Sequence, residues 1–423
     1  MEKYQIQCTA CGRLYPDTGF NECPDSHAAL QRTVYSAQCM NYADLPGMLR
    51  FYDWLPINHK PVVTAGPVTY QSMGLARELG LPHLYITFSG FWPEKGAAIK
   101  TCSFKELEAV PTLQRASERR SGILVVASAG NTGRAFAQIA AEMNTPVVVV
   151  IPKRSLPRIW TTIPTDKVLL ITVEGDYSDA ISQSTLIAGL PHLTAEGGAK
   201  NCARRDGMGT VMLDAAVSTG RIPDYYVQAV GSGTGAIAAW EAAQRLIRDG
   251  RYGSHLPYMI LSQNLPFVPM AKAWNAGRRE IDPISDMADA EHSIAQVYAD
   301  VLTNRNPPYG ITGGLYDCLT KTGGEIVAVS NDEARQAQQI FSECEMIDLD
   351  PAAAVTVASL IRATQEGRIN SKKTVMMNIT GGGYNRVKEK FDLIPVSAAL
   401  ATDKTTNMGQ ISGFVNEWVK EHA

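Results

Sequence analysis

The sequence predicts an α/β protein built on parallel sheets, and three observations predict it. From about residue 60 onward, strand-like and helix-like segments alternate, the pattern of a parallel sheet covered on both faces. The run "TPVVVVIP" at 145–152 is β-branched and of strand length, which suits a strand buried on both sides. Three glycine-rich loops each follow such a strand, and open α/β sheets bind ligands at the carboxyl ends of their strands.

The chain has 423 residues, enough for two or three domains and a large core. Hydrophobic residues at 45% and charged residues at 19% are ordinary for a globular protein. A net charge of −3 provides no broad basic field for nucleic acid. No run approaches the ~18 apolar residues of a membrane span, and "MEKYQIQCTACG" has no apolar leader core. The expectation is a cytoplasmic protein that binds neither membrane nor nucleic acid. Cys102, Cys202, Cys318 and Cys344 are scattered and are expected as reduced thiols.

Residues 1–40 differ from the rest. "CTACGRLYPDTGFNECPDSH" holds Cys8-x-x-Cys11, then Cys23 and His27. A two-residue gap lets two thiolates grip one metal ion, and a zinc ribbon needs a second such pair. Ser26 stands where the second pair would close, leaving His27 or Cys39 as a fourth ligand. The expectation is a metal-free relic of a ribbon, with no metal assigned.

The elements then follow in order. "GLARELG" at 74–80 is a helix piece, and "GILVVASAGN" at 122–131 is a strand entering a small-residue turn. "TGRAFAQIAAEMN" has apolar residues at helical spacing before the strand "PVVVVIP". "KVLLITVEG" is a strand, and "DYSDAISQSTLIAG" is a helix with Asp176 as its N-cap. "DYYVQAVGSGTG" runs from strand to glycine loop, and "AIAAWEAAQRLIRDG" is the helix after it. "ARQAQQIFSECEM" and "AAAVTVASLIRATQEG" are helices, and "KKTVMMNITGGG" is a strand ending in glycines.

The loops carry the chemistry. In "SAGNTG" (128–133), Ser128, Ala129, Gly130 and Thr132 surround Asn131 at a helix start, where backbone N–H groups suit a carboxylate. "VGSGTG" (230–235) sets Gly231, Gly233 and Gly235 among the hydroxyls of Ser232 and Thr234 before a helix, a cradle for a small phosphate ester. It lacks the Lys-Ser/Thr ending of a nucleotide P-loop, and Ala236 and Ile237 break the dinucleotide fingerprint. "NITGGG" (378–383) places the Thr380 hydroxyl at a strand end, where it could reach a flat ligand or mark an ordinary loop. Upstream, Lys105 in "AIKTCSFKELEAVP" heads a helix against its dipole. It is either a solvated lysine or an amine held in a cleft as a nucleophile.

Ser-Phe-Lys, Gly-Asn-Thr, Gly-Ser-Gly-Thr-Gly and a late hydroxyl before glycines occur in this order. Over roughly residues 60–385 the chain resembles the tryptophan-synthase-β-like (fold-type II) pyridoxal-phosphate enzymes, and most closely the threonine synthase branch. The resemblance implies two doubly wound parallel-sheet domains with pyridoxal 5'-phosphate in the cleft between them, plus a small zinc-ribbon-like extension. It divides the chain into an extension at 1–60, a larger domain at 61–110 and 215–423, and a smaller one at 111–214. It makes Lys105 the lysine that carries the cofactor and the catalytic base. Asn131 would face the ring oxygen, Gly231, Ser232, Gly233, Thr234 and Gly235 the phosphate, and Thr380 the ring nitrogen.

Departures from threonine synthases bear on the substrate. Glu106-Leu107 replaces the usual Asp-Arg after the lysine, and Ala129 replaces a threonine. Arg134, Lys153, Arg154 and Arg158 follow adjacent strands. They form either an anion site or a solvated basic face. The resemblance implies replacement of the phosphate of O-phospho-L-serine by sulfite, in a homo-oligomer. Composition and spacing do not show sulfite. Phosphohomoserine with water, or a silent homologue that only binds ligand, remain as alternatives at this point.

Overall fold

The computed structural model describes residues 2–19, 21–403 and 406–422 and places two parallel sheets side by side. Among the described residues, the larger sheet has the strand order Glu325–Val329, Tyr258–Asn264, Tyr225–Ala229, Val375–Ile379, Leu84–Phe88, Val68–Gln71. Its strands pair in parallel, except that the outer Val68–Gln71 runs antiparallel. The smaller sheet is parallel throughout, in the order Leu193–Ala195, Ile123–Ala127, Val147–Pro152, Val168–Val173, Leu400–Thr402. The predicted fold class of two parallel-sheet α/β bodies is therefore present.

The β-branched runs explain the strands. Every residue of Val147–Pro152 is buried, because a central parallel strand is covered by helices on both faces. Helix Asn131–Met143 turns Phe136, Ile139 and several alanines inward, an apolar stripe at helical spacing. Truncating fully buried Phe136 to alanine should cost ~3–5 kcal/mol by transfer and cavity terms. Helix Cys202–Thr219 is buried along nearly its whole length. It packs between helices Lys105–Arg119 and Thr234–Asp249.

The expected domain limits need correction in two places. Residues 400–422 were grouped with the larger sheet, yet Leu400–Thr402 pairs with Val168–Val173 on the smaller one. Helix Met408–His422 buries Ile411, Val415 and Val419 in the smaller sheet's core. The physical reason is an edge: without that last strand, Val168–Val173 would leave its ladder groups unpaired. The limits at 110/111 and 214/215 also cut helices Lys105–Arg119 and Cys202–Thr219.

The N-terminal extension forms an antiparallel sheet of Leu14–Tyr15, Tyr4–Cys8 and Gln31–Tyr35. It docks through buried charge. Arg115 grips Asp17 with two nitrogens at 2.6 and 2.8 Å. Thr33 and Tyr35 donate to Asp206, and Arg205 donates to the Gln31 carbonyl. Among the described residues no helix is long and apolar enough to cross a membrane.

Candidate active site

A cavity of about 670 Å³ opens at the carboxyl ends of both sheets, between them. Lys105 enters it as the first residue of helix Lys105–Arg119. Only 19% of its side chain is exposed. Burial pushes the amine below its ordinary pKa, Glu108 pulls it back, and Arg204 lowers it further. The helix dipole acts in the same direction as burial. The result is a buried amine that gives up its proton more readily than a surface lysine.

The backbone fixes where that amine points. Phe104 N–H donates to the Thr380 carbonyl at 2.9 Å, and Gly382 N–H donates to Cys102 at 3.1 Å. Ser103 and Gly381 form an antiparallel bridge. The lysine segment and the late hydroxyl, 275 positions apart in sequence, are thus held in register across the cavity floor. Glu106 and Leu107 point away from the cavity. Leu107 lies in the core, and buried Glu106 accepts the Thr101 N–H. Burial, with Glu142 nearby, raises Glu106 to about 8. The departures from the threonine synthase motif at these two positions therefore concern packing.

Asn131 and Thr132 start helix Asn131–Met143 on the cavity wall, where first-turn N–H groups have no partner within the helix. The Ser128 hydroxyl accepts from Gly130 and Gly133 N–H at 3.0 and 2.7 Å. Accepting both bonds, it shapes this turn on the cavity wall, with its own O–H left to donate. Gly130 has φ +149, a conformation that side chains rarely adopt. Opposite, the Gly231–Gly235 loop opens helix Thr234–Asp249. Ser232 and Thr234 hydroxyls lie 2.8 Å apart. Gly233 has φ +79, and a Cβ there would sit 2.8 Å from Leu315.

These residues fit pyridoxal phosphate. A Cβ at Gly231 would meet the Leu302 backbone at 3.0 Å, and one at Gly235 would meet Gln228 at 2.7 Å. Side chains at these three glycines would collide with packed neighbours, so only a glycine backbone can follow this course along the cavity wall, and it leads into a helix N-terminus suited to a dianion. Lys105, Asn131 and Thr380 line the same cavity.

The proposed cations fall elsewhere. Arg134 is buried and lies outside the cavity wall. It donates to Asn131 Oδ1 at 3.0 Å, Tyr384 Oη at 2.8 Å and the Thr101 carbonyl at 3.1 Å. It braces Asn131 and is not placed to meet substrate. Lys153 is exposed and paired with Glu174, and Arg158 is paired with Asp300 at 2.7 Å. Neither these two nor Arg154 lines the cavity. They sit one turn beyond the strand end, where solvent and acidic neighbours take them.

The cavity's own cations were missed in the sequence. Arg204 lies on its wall and bridges Glu108 at 2.8 Å and Glu196 at 2.6 Å. Glu108, fully buried, also meets Lys105 Nζ at 3.3 Å and accepts from the Thr132 hydroxyl at 3.0 Å. Lys200 and Tyr177 join this wall. The available signal was "KNCARRDG", two arginines just inside a helix capped by Asn201. Arg205 faces Glu241, and Arg204, about 100° round the same helix, faces the cavity.

The pyridoxal-phosphate dependent enzyme family matches residues 75–381. The cysteate synthase of Methanoculleus marisnigri is 56% identical over 99% of this chain and 98% of its own. That of Methanosphaerula palustris is 54% identical over 99% of both. The crystal structure of a fungal L-serine ammonia-lyase from Rhizomucor miehei superposes with a TM-score of 0.55 at 15% identity, over 77% of this chain and 100% of that one. At that identity it shows the fold alone. The family match, the near full-length relatives and the cradle facing Lys105 agree: the chain belongs to the pyridoxal-phosphate-dependent enzymes, among the cysteate synthases.

Proposed function

We propose that this protein makes L-cysteate and phosphate from O-phospho-L-serine and sulfite, the activity that its relatives' name and the sequence resemblance point to. The observation that carries the reading is identity above one half over essentially the whole chain. When bound, pyridoxal phosphate supplies an electron sink for charge developing at the substrate α-carbon. Gly231–Gly235 would hold its phosphate, Lys105 its carbonyl carbon, Asn131 its ring oxygen and Thr380 its ring nitrogen.

The chain's own groups do the rest. First-turn N–H groups of Asn131 and Thr132 hold the substrate carboxylate. The Lys105 amine, poorly solvated and readier to give up its proton than a surface lysine, takes the α-proton and later returns it. Glu108, 3.3 Å away, orients that amine and tempers its acidity. Arg204 and Lys200 are the cavity-wall cations that would meet the departing phosphate and the entering sulfite, and each would share its charge with the carboxylates it already pairs, Glu108 and Glu196 for Arg204 and Glu22 for Lys200. Arg134 keeps the Asn131 side chain aimed. The reading extends to small-molecule substrates only, and to a homo-oligomer working in the cytoplasm.

The test is product identification after incubating purified holoprotein with phosphoserine or phosphohomoserine, each with and without sulfite. Cysteate with equimolar phosphate, dependent on sulfite, is expected. Lys105→Ala should abolish it and change the visible spectrum of the bound cofactor. Threonine from phosphohomoserine, with sulfite ignored, would overturn the assignment.

A further inference from the structure

The first forty residues hold a second arrangement that the reaction does not use. The ligand atoms of Cys8, Cys11, Cys23 and His27 all lie within 4.8 Å of one another. A tetrahedron with Zn–S of ~2.3 Å and Zn–N of ~2.0–2.1 Å has S···S edges of about 3.8 Å and S···N edges of about 3.5 Å. Cys23 Sγ stands 3.4 Å from His27 Nδ1.

Two facing turns build this cluster. In the first, Gly12 N–H closes onto the Cys8 carbonyl at 2.9 Å, with Gly12 at φ +73. In the second, Ser26 N–H closes onto the Cys23 carbonyl at 2.8 Å. Ser26 was expected to break the second pair. Instead it takes φ 57, and His27, the next residue, brings its imidazole to within 4.8 Å of the three cysteine sulfurs. The turn lengthens by one residue and the ligand changes from thiolate to imidazole. Backbone N–H groups of Ala10 and Cys11 point at the Cys8 sulfur, and those of Asp25 and His27 at the Cys23 sulfur. Such bonds offset thiolate charge around a metal. Cys39 is exposed and lies outside the cluster.

We propose that Cys8, Cys11, Cys23 and His27 form a closed structural Zn²⁺ site. Three thiolates and one imidazole in tetrahedral reach select zinc among common divalent ions, and four protein ligands leave no position for a catalytic water. The site has a mechanical consequence for the cavity. Thr9, beside Cys8, donates its hydroxyl to the Leu30 carbonyl at 2.7 Å and the Thr312 carbonyl at 3.1 Å. Leu30 N–H donates to Thr312 at 2.9 Å, and Leu30 lines the active cavity. The metal thus anchors one wall of that cavity from outside.

The test is elemental analysis of the full-length holoprotein, expressed in zinc-supplemented medium and desalted without chelator. About one zinc per chain is expected. Cys11→Ser and His27→Ala, both at exposed positions, should lose most of the zinc while keeping the cofactor's absorbance. His27→Cys should restore it, and Cys39→Ser should retain it. Exchange with Co²⁺ should add thiolate-to-cobalt charge-transfer bands to the parent and not to Cys11→Ser. Parent protein without zinc, parent protein carrying iron instead, or full zinc in both His27→Ala and Cys11→Ser would each overturn the site.

Discussion

Lys105 shows how far single residues could be read. A lysine heading a helix works against the dipole, and that misfit was visible in the sequence as a candidate nucleophile. Its partner Glu108 was not. It sits three positions on, at the spacing that brings side chains together on a helix, but nothing in the sequence marks that face as buried. The pair yields a prediction with a defined sign. Burial lowers the amine's pKa, Glu108 raises it, and Arg204 lowers it. In Glu108→Gln the raising charge is gone and Arg204 loses a partner, so both changes push the pKa down. Below the parent's pKa, more of the amine is then neutral at any given pH. The acid limb for uptake of pyridoxal phosphate by cofactor-free protein should move to lower pH by about 1–3 units. Stopped-flow absorbance across a pH series checks this. An unmoved limb would mean that Glu108 does not set the amine's ionisation.

At the scale of elements, strands and helices with strong periodicity were legible, and their docking was not. "PVVVVIP" and "TGRAFAQIAAEMN" announce a buried strand and an amphipathic helix. Nothing comparable announces that Asp17, in the N-terminal extension, meets Arg115 on a helix nearly a hundred residues later. That pair is buried on both sides, with side-chain exposures of 4% and 1%. Removing one partner of a buried, bidentate ion pair typically costs ~3–5 kcal/mol, because the other charge is left unpaired. Asp17→Asn should lower stability by that order and make the extension the first segment cut in limited proteolysis. The pH dependence follows from the same geometry. Burial alone would raise the Asp17 pKa, but the Arg115 hydrogen bond and charge, with the Gly19 N–H, hold it at about 2, below the ordinary 3.8. A carboxyl depressed in the folded state stabilises above its unfolded pKa and loses that contribution as pH falls through its folded one. Protection of residues 2–19 from hydrogen exchange should therefore decline between about pH 4 and pH 2, and Asp17→Asn should remove that step. An acid profile identical in the variant would sink the assignment.

For the whole molecule, the alternation of strand and helix gave two parallel sheets, and the ordered glycine loops gave a cleft between them. The return of the chain to the smaller sheet was hidden, because Leu400–Thr402 is too short to carry a pattern. So was the cleft's closure. Arg158, beside the smaller sheet, meets Asp300 beside the larger one at 2.7 Å. Asp176 and Arg305 span the same gap at 3.3 Å. Read from sequence, Arg158 belonged either to an anion site or to a solvated basic face, whereas its guanidinium pairs with a carboxylate beside the other sheet. Both pairs are partly exposed, so each contributes only ~0.2–1 kcal/mol and is weakened by salt. That small energy still acts on domain closure, and a closed cleft is what substrate binds against. The double variant Asp300→Asn, Arg305→Gln breaks both pairs and leaves intact the Asp176 side chain, which caps its own helix. Its KM for phosphoserine should rise about two- to thirtyfold, with kcat changed less, since two such pairs amount to ~0.4–2 kcal/mol in all. Raising ionic strength should increase the parent's KM toward that of the variant and move the variant less. Steady-state kinetics over a salt series decides it: equal KM values and equal salt slopes in the two proteins would show that these ion pairs decorate the cleft without holding it shut.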